Sequence, residues 1–251
     1  GRVCGLLSPR WRSGYWSPLP CDGLKYPQLL EVSALQLFDL SQPYRDGMFS
    51  QKLFPPVRVE RCVRYEDRGV NVTCISAAVH AGTHVDAPCH FIPGGSSIDE
   101  IDLARVSGPA VCWEVGRGAD EEITPVDLEA CLPHAEAGDA VFIRTGWDVH
   151  FEGDLVAYNH HPYLSIEAAA WLVERRIKMV ALDVATPDMP EAVRRPGFEW
   201  PVHRLLLGAG VLIAEHLAHL ELVAGRRFRA FALPIPIVGA DGAPARVVAE
   251  L

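Results

Sequence analysis

Beyond about residue 37 the hydrophobic positions switch between two periods. Val57-Arg58-Val59-Glu60-Arg61-Cys62-Val63 alternates apolar and polar residues, the pattern of a half-buried strand. Val70 to Val79 is a second extended candidate, rich in β-branched and small residues. Ala110 to Val115, Ala140 to Ile143, Met179 to Asp183, Gly210 to Glu215 and Phe228 to Leu233 are short apolar runs that predict further strands. Helices fit between them. Thr124-Pro125-Val126-Asp127 places a capping residue, a proline and an acid where a helix begins. Ser165 to Arg176 predicts the clearest helix, with Ile166, Ala169, Ala170 and Val173 on one face. This interleaving predicts an α/β domain over residues 35–251, built on a mixed β-sheet flanked by helices. Residues 1–34, rich in Pro, Gly and Trp, have no clear period and read as an N-terminal extension. It is either an arm reaching over a neighbour or a poorly ordered leader. No repeat or low-complexity segment interrupts the pattern.

Composition narrows the function. The 251 residues are 49% hydrophobic and 22% charged, enough for a substantial core. A net charge of -9 argues against a nucleic-acid partner, which needs clustered Lys and Arg. The basic residues come as scattered pairs, such as Arg175-Arg176 and Arg194-Arg195, and read as solvated faces. No apolar run approaches the ~18 residues of a membrane span. Arg10, Arg12, Pro18 and Pro20 break any secretory signal core. Seven cysteines, an odd count without CxxC spacing, predict reduced thiols and a cytoplasmic location.

The chemistry concentrates in His80-Ala81-Gly82-Thr83-His84-Val85-Asp86-Ala87-Pro88-Cys89-His90. His80, His84 and Asp86 share even parity, so an extended chain carries all three on one face. A helix would turn Asp86 about 200° away from His84, at ~100° per residue, and Gly82 and Pro88 also disfavour one. Two imidazoles and a carboxylate suit Zn²⁺, and also Mn²⁺ or Fe²⁺. A purely structural zinc site would favour thiols, but only Cys74 and Cys89 are near and Cys89 has the wrong parity. His203 and Glu215, 12 residues apart, are too distant for one helix. A helix ending at Gly208, followed by an apolar strand, would deliver Glu215 at the strand's far end.

Other candidates carry two readings. Asp183 ends a buried strand and either orients a ligand histidine or caps the following turn. His160-His161 reads as surface loop. His216 and His219 flank Glu215, but facing different directions they cannot all be ligands. Phe91 and Trp147 either shape an aromatic pocket or pack in the core. Neither a Gly-x-Ser-x-Gly elbow nor a phosphate-binding Gly-rich loop is present.

The segment from His80 to Phe91 resembles the signature of the cyclase family of metal-dependent hydrolases, which includes bacterial kynurenine formamidases and isatin hydrolases. The resemblance runs from about Leu37 to the C-terminus. It includes Asp39-Leu40-Ser41-Gln42-Pro43, Arg144-Thr145-Gly146-Trp147 and Gly239-Ala240-Asp241-Gly242-Ala243-Pro244-Ala245-Arg246. It implies a swivelling β/β/α fold assembled as a homodimer or homotetramer. It also implies that His80, His84 and Asp86 hold one metal, with Asp86 bridging to a second held by His203 and Glu215. Isatin hydrolases carry an amide at the last position and bind one manganese, so the Glu215 carboxylate favours two metals. His90 resembles the family's proton-transferring histidine, a role that an ordinary pKa near ~6.5 suits.

The expected activity is hydrolysis of a C–N bond in a small aryl formamide, amide or cyclic amide by a metal-activated water. Zn²⁺ is the first expectation and Mn²⁺ the second. An isatin-type lactam hydrolase, or a cyclase of a secondary pathway, is the runner-up. A non-catalytic metal-binding or ligand-binding protein is the alternative of another class, and an intact His90 weighs against it.

Overall fold

The computed structural model describes residues 35–251, and the predicted extension over 1–34 lies outside them. Twelve strands follow in order: β1 (Leu37–Asp39), β2 (Arg58–Val63), β3 (Val72–Ser76), β4 (His84–Asp86), β5 (Ser107–Glu114), β6 (Glu122–Ile123), β7 (Ala140–Arg144), β8 (Tyr163–Leu164), β9 (Met179–Leu182), β10 (Leu212–Glu215), β11 (Arg227–Pro234) and β12 (Gly242–Glu250). Five α-helices accompany them: α1 (Tyr65–Arg68), α2 (Pro125–Glu129), α3 (Leu155–Tyr158), α4 (Ile166–Glu174) and α5 (Pro201–Gly208).

Eight strands form one mixed sheet in the order β1-β12-β11-β5-β7-β9-β10-β4. Because β4 pairs with β12 as well as β10, the sheet closes on itself. Strands β5, β7, β9 and β10 run parallel at its centre. Their apolar runs are buried on both faces, as central parallel strands must be. Alternate residues serve the two sides. Ala110, Cys112, Phe142, Ala181 and Ala214 face an interior shared with Val85, Ala230 and Val247. Val111, Trp113, Ile143, Val180 and Ile213 face outward, under Leu172 of α4 and Leu206 of α5. Each large aliphatic chain so buried contributes roughly 1.5–3 kcal/mol. This is the α/β architecture with flanking helices that the sequence predicts.

Three local expectations change. In α4 the buried residues are Ala168, Ala169 and Leu172, while Ile166 is 49% exposed. Ser165 caps this helix by accepting from the Ala168 amide at 3.1 Å, which sets a rotation that turns Ile166 outward. The cysteines are not all reduced, because Cys62 and Cys74 form a disulfide with Cα atoms 5.9 Å apart. It staples β2 to β3, a ribbon with few buried side chains, and two strands alone are marginal in water. The cysteine argument for a cytoplasmic location therefore falls. No helix among the described residues is long and apolar enough to cross a membrane. Finally, His161 is buried rather than a surface-loop residue. It donates through Nδ1 to the Pro162 carbonyl at 2.9 Å, whereas His160 pairs with Asp120 nearer the surface.

Candidate metal centre

Strand β4 is three residues long and lies between β10 and β12. Its register sets His84 opposite Glu215. Strand alternation then brings the side chains of His84, Asp86 and Glu215 together on one buried face. His80 arrives differently from the expected parity. It lies in a turn before β4, and the chain reverses through Gly82 at φ +65°. That left-handed φ strains any side chain, and a Cβ would also press on the end of Met48 at 2.6 Å, so the position favours glycine. Gly242 is constrained by proximity, since a Cβ there would lie 2.8 Å from the His80 ring. His203 sits in the first turn of α5, which ends at Gly208 before β10 delivers Glu215, as the sequence predicts.

Each of the three histidines has its outward ring nitrogen held by an acceptor. His80 Nε2 lies 3.0 Å from Asp241 Oδ2. His84 Nδ1 donates to the Gly82 carbonyl at 2.7 Å. His203 Nδ1 donates to Asp188 Oδ2 at 2.6 Å. The inward nitrogens converge on two carboxylates. His80 Nδ1 lies 2.8 Å and His84 Nε2 3.2 Å from Asp86 Oδ1. His203 Nε2 lies 3.5 Å from Asp86 Oδ2 and 3.2 Å from Glu215 Oε1. Asp86 thus belongs to two compact donor groups, one with His80 and His84 and one with His203 and Glu215.

The donor set fits a divalent metal on physical grounds. His84 Nε2, Asp86 Oδ2 and Glu215 Oε1 are buried without a hydrogen-bond partner. Orphaned polar atoms of this kind are costly and rare. The charge balance points the same way. Burial opposes charging His80, but Asp86 and Asp241 outweigh it and lift its pKa to about 10. Burial would raise Asp86, yet His80, His203 and His84 hold it well below the usual carboxylate range. Glu215 is pushed up by burial and by the charge of Asp86. Asp86 and Glu215 thus draw positive charge onto His80 and His203, charge that a bound cation would supply instead.

A cavity of about 390 Å³ opens over this centre, lined by His80, His90, Phe91, Arg194 and Trp200 among others. A larger cleft of about 840 Å³ beside Tyr44 and Leu233 contains none of the converging donors. His90 follows Pro88 in a single 3-10 turn. Its Nδ1 lies 3.0 Å from Asp241 Oδ2, so one carboxylate oxygen serves both His90 and His80. The two imidazoles stack with centroids 4.0 Å apart. Burial, with help from His80 and His203, holds the His90 pKa below its ordinary value.

Phe91 reaches the cavity and lies 4.6 Å from the His203 ring. Trp147 does not line it. Trp147 packs in the core, and its indole N–H donates to the Ala157 carbonyl at 2.9 Å. Asp183 neither orients a ligand histidine nor caps the turn that follows it: it accepts from the Thr145 amide and hydroxyl and the Gly146 amide within 3.0 Å, holding the turn after β7. Burial lifts its pKa to about 6. His216 is buried beside His84 and bonds Tyr158 at 2.7 Å, while His219 is exposed.

Sequence reasoning missed three residues. Asp241 accepts from both His80 and His90, and nothing local in the sequence signals it. Asp188 accepts from the Val202 and His203 amides as well as the His203 ring, capping α5 while aiming its histidine. Arg194 is not part of a solvated basic pair. It is half-buried at the cavity wall, and only Arg195 of that pair faces solvent.

Comparison with known proteins places this geometry. The Cyclase family model matches residues 38–189. The kynurenine formamidase of Bacillus mycoides (strain KBAB4) is 30% identical over 217 residues, covering 85% of this chain and 96% of its own. Isatin hydrolase A from Ralstonia solanacearum superposes with a TM-score of 0.76 at 26% identity, covering 90% of this chain and 98% of its own. A solved structure described as a potential metal-dependent hydrolase with cyclase activity matches with a TM-score of 0.70 at 28% identity, over 86% and 98% of the two chains.

Proposed function

The chain belongs to the cyclase family of metal-dependent hydrolases, and from that premise we propose that it cleaves the C–N bond of a small aryl formamide or related amide. The observation that carries this reading is the tautomer control of the ligand cluster. Asp241, the Gly82 carbonyl and Asp188 occupy the outer nitrogens of His80, His84 and His203, leaving one inward nitrogen on each. His80, His84 and Asp86 would hold one divalent metal. Asp86, His203 and Glu215 would hold a second. Zn²⁺ suits these imidazole and carboxylate donors best and Mn²⁺ is the alternative. A metal held there would lower the pKa of a bound water towards ~7 and would supply positive charge for the developing oxyanion.

The chain's own residues do the rest. Phe91 and Trp200 offer aromatic faces to an aryl group in a cavity sized for one small molecule. Asp241 accepts from His90 Nδ1 and so fixes the tautomer that keeps Nε2 free to receive a proton. His90 takes a proton from the attacking water as the new C–O bond forms. It returns a proton to the amide nitrogen as the C–N bond breaks, releasing acid and amine. Asp183 shapes the Thr145-Gly146 turn and takes no part in this transfer.

Kynurenine formamidase-like hydrolysis is preferred over the isatin type because position 215 is a carboxylate, and a non-catalytic binding role leaves the Asp241–His90 pair without a task. The reading extends to a homodimer or homotetramer, and exposed Ile235, Ile237 and Val238 after β11 supply apolar surface for assembly. It also keeps a cytoplasmic enzyme, in which the Cys62–Cys74 staple must resist cellular reductants. The test is metal analysis joined to hydrolysis of formanilides, lactams and imides, before and after chelation and readdition of Zn²⁺ or Mn²⁺. Metal-restored hydrolysis of formanilides is expected. Stoichiometric metal without turnover of any of these would favour the binding role.

A further inference from the structure

Arg194 is the sole Lys or Arg among the described residues that line the cavity. Its Nε donates to the Met189 carbonyl at 2.6 Å. Its guanidinium carbon lies 3.7 Å from the centroid of the Trp200 ring and 5.0 Å from that of Phe198. Trp200 is held in turn by a left-handed backbone, φ +56°, immediately before Pro201 opens α5. The side chain is therefore fixed along one edge and one face. The terminal amino groups are not. They make no hydrogen bond and no ion pair to a described residue, whereas Arg45, Arg117, Arg144, Arg175, Arg227 and Arg246 each pair with an acid. Glu191, an exposed acid lining the same cavity, makes no ion pair with Arg194. Burial draws the Arg194 pKa below its ordinary value, against the opposing charges of Asp188, Glu191 and Glu215.

A half-buried, pre-oriented fork with uncommitted donors matches a planar carboxylate. We propose that Arg194 is a carboxylate clamp and that the natural substrate is an anionic amide, with an aryl body against Phe91 and Trp200 and a carboxylate at Arg194. The scissile amide then lies over the cluster of His80, His203 and Glu215, on the same cavity. This rests on the hydrolase reading above and adds the charge of the substrate to it.

Holoenzyme is assayed on formanilides bearing a carboxylate on the ring or on a short side chain, each beside its neutral methyl ester. At least one acid is expected to exceed its ester by roughly 10- to 100-fold in kcat/KM, mostly through KM, as a charged hydrogen bond permits. In Arg194→Met that ratio collapses towards one, and Arg194→Lys, which keeps the charge but loses the fork, recovers part of it. An ester preferred throughout, or a ratio unchanged in Arg194→Met, overturns the clamp. Calorimetry with aminobenzoates against aminobenzamides separates the two claims. Arg194-dependent preference for the acid without any turnover would leave the clamp and sink the hydrolase reading. No preference in binding or in turnover would remove the clamp alone if esters are hydrolysed, and both claims if nothing is.

Discussion

His203 donates its Nδ1 proton to Asp188 at 2.6 Å, and the same carboxylate caps the helix that carries His203. One acid thus fixes both where the imidazole stands and which nitrogen faces the donor cluster. Asp188→Ala is expected to weaken metal binding by roughly 10- to 100-fold. Loss of the cap should cost a further ~1 kcal/mol of stability. Competition with a chelating indicator measures the first and thermal melting of the metal-free protein the second. Unchanged affinity would mean that Asp188 serves the helix alone.

Glu215 divides the one-metal from the two-metal arrangement. Its Oε1 is an unpartnered buried atom 3.2 Å from His203 Nε2. Glu215→Gln should lower metal content from about two ions to one in elemental analysis of dialysed protein. If the content stays the same, the second site is wrong.

His161 predicts an acid limit to stability. Burial holds its pKa down to about 4, against an ordinary value of 6.5. The unfolded chain therefore binds the extra proton first as pH falls. Stability is fully present above 6.5 and is lost progressively down to about 4, by on the order of 3 kcal/mol. His161→Gln should flatten the melting temperature between pH 6.5 and 4.5 relative to wild type. An equally steep profile would assign the acid sensitivity elsewhere.

The Cys62–Cys74 staple spans 12 residues of an exposed ribbon. A closure of that size contributes about 3 kcal/mol by chain entropy, here to the ribbon rather than the sheet. Cys62→Ser with Cys74→Ser should hasten proteolysis within residues 58–76 while metal content persists. Loss of metal as well would show that the ribbon supports the turn bearing His80.

Local geometry made all of the donor cluster but His80 legible in the sequence. His84 and Asp86 share a face because β4 is extended, and Gly208 marks the break that lets Glu215 follow His203. His80 joins the cluster through the turn at Gly82 rather than through strand parity. The positioning acids were not legible. Asp241 meets His90 across 151 residues, and no period records such an approach. Strand β12 was missed because its Gly, Ala and Pro residues mask any alternation, although it borders β4. Arg194 looked like a solvated charge because stacking on Trp200 is a tertiary fact. The disulfide escaped because its register exists only once β2 pairs with β3.

The central claim is that this chain hydrolyses a C–N bond with His90 moving the proton. It is tested most directly by the rate of formanilide hydrolysis in wild type and His90→Ala at equal, measured metal occupancy. The account predicts a fall of about 10²- to 10⁴-fold in kcat with the metal retained. Equal rates in the two proteins, or metal-loaded wild type that turns over no formamide, lactam or imide, would contradict it.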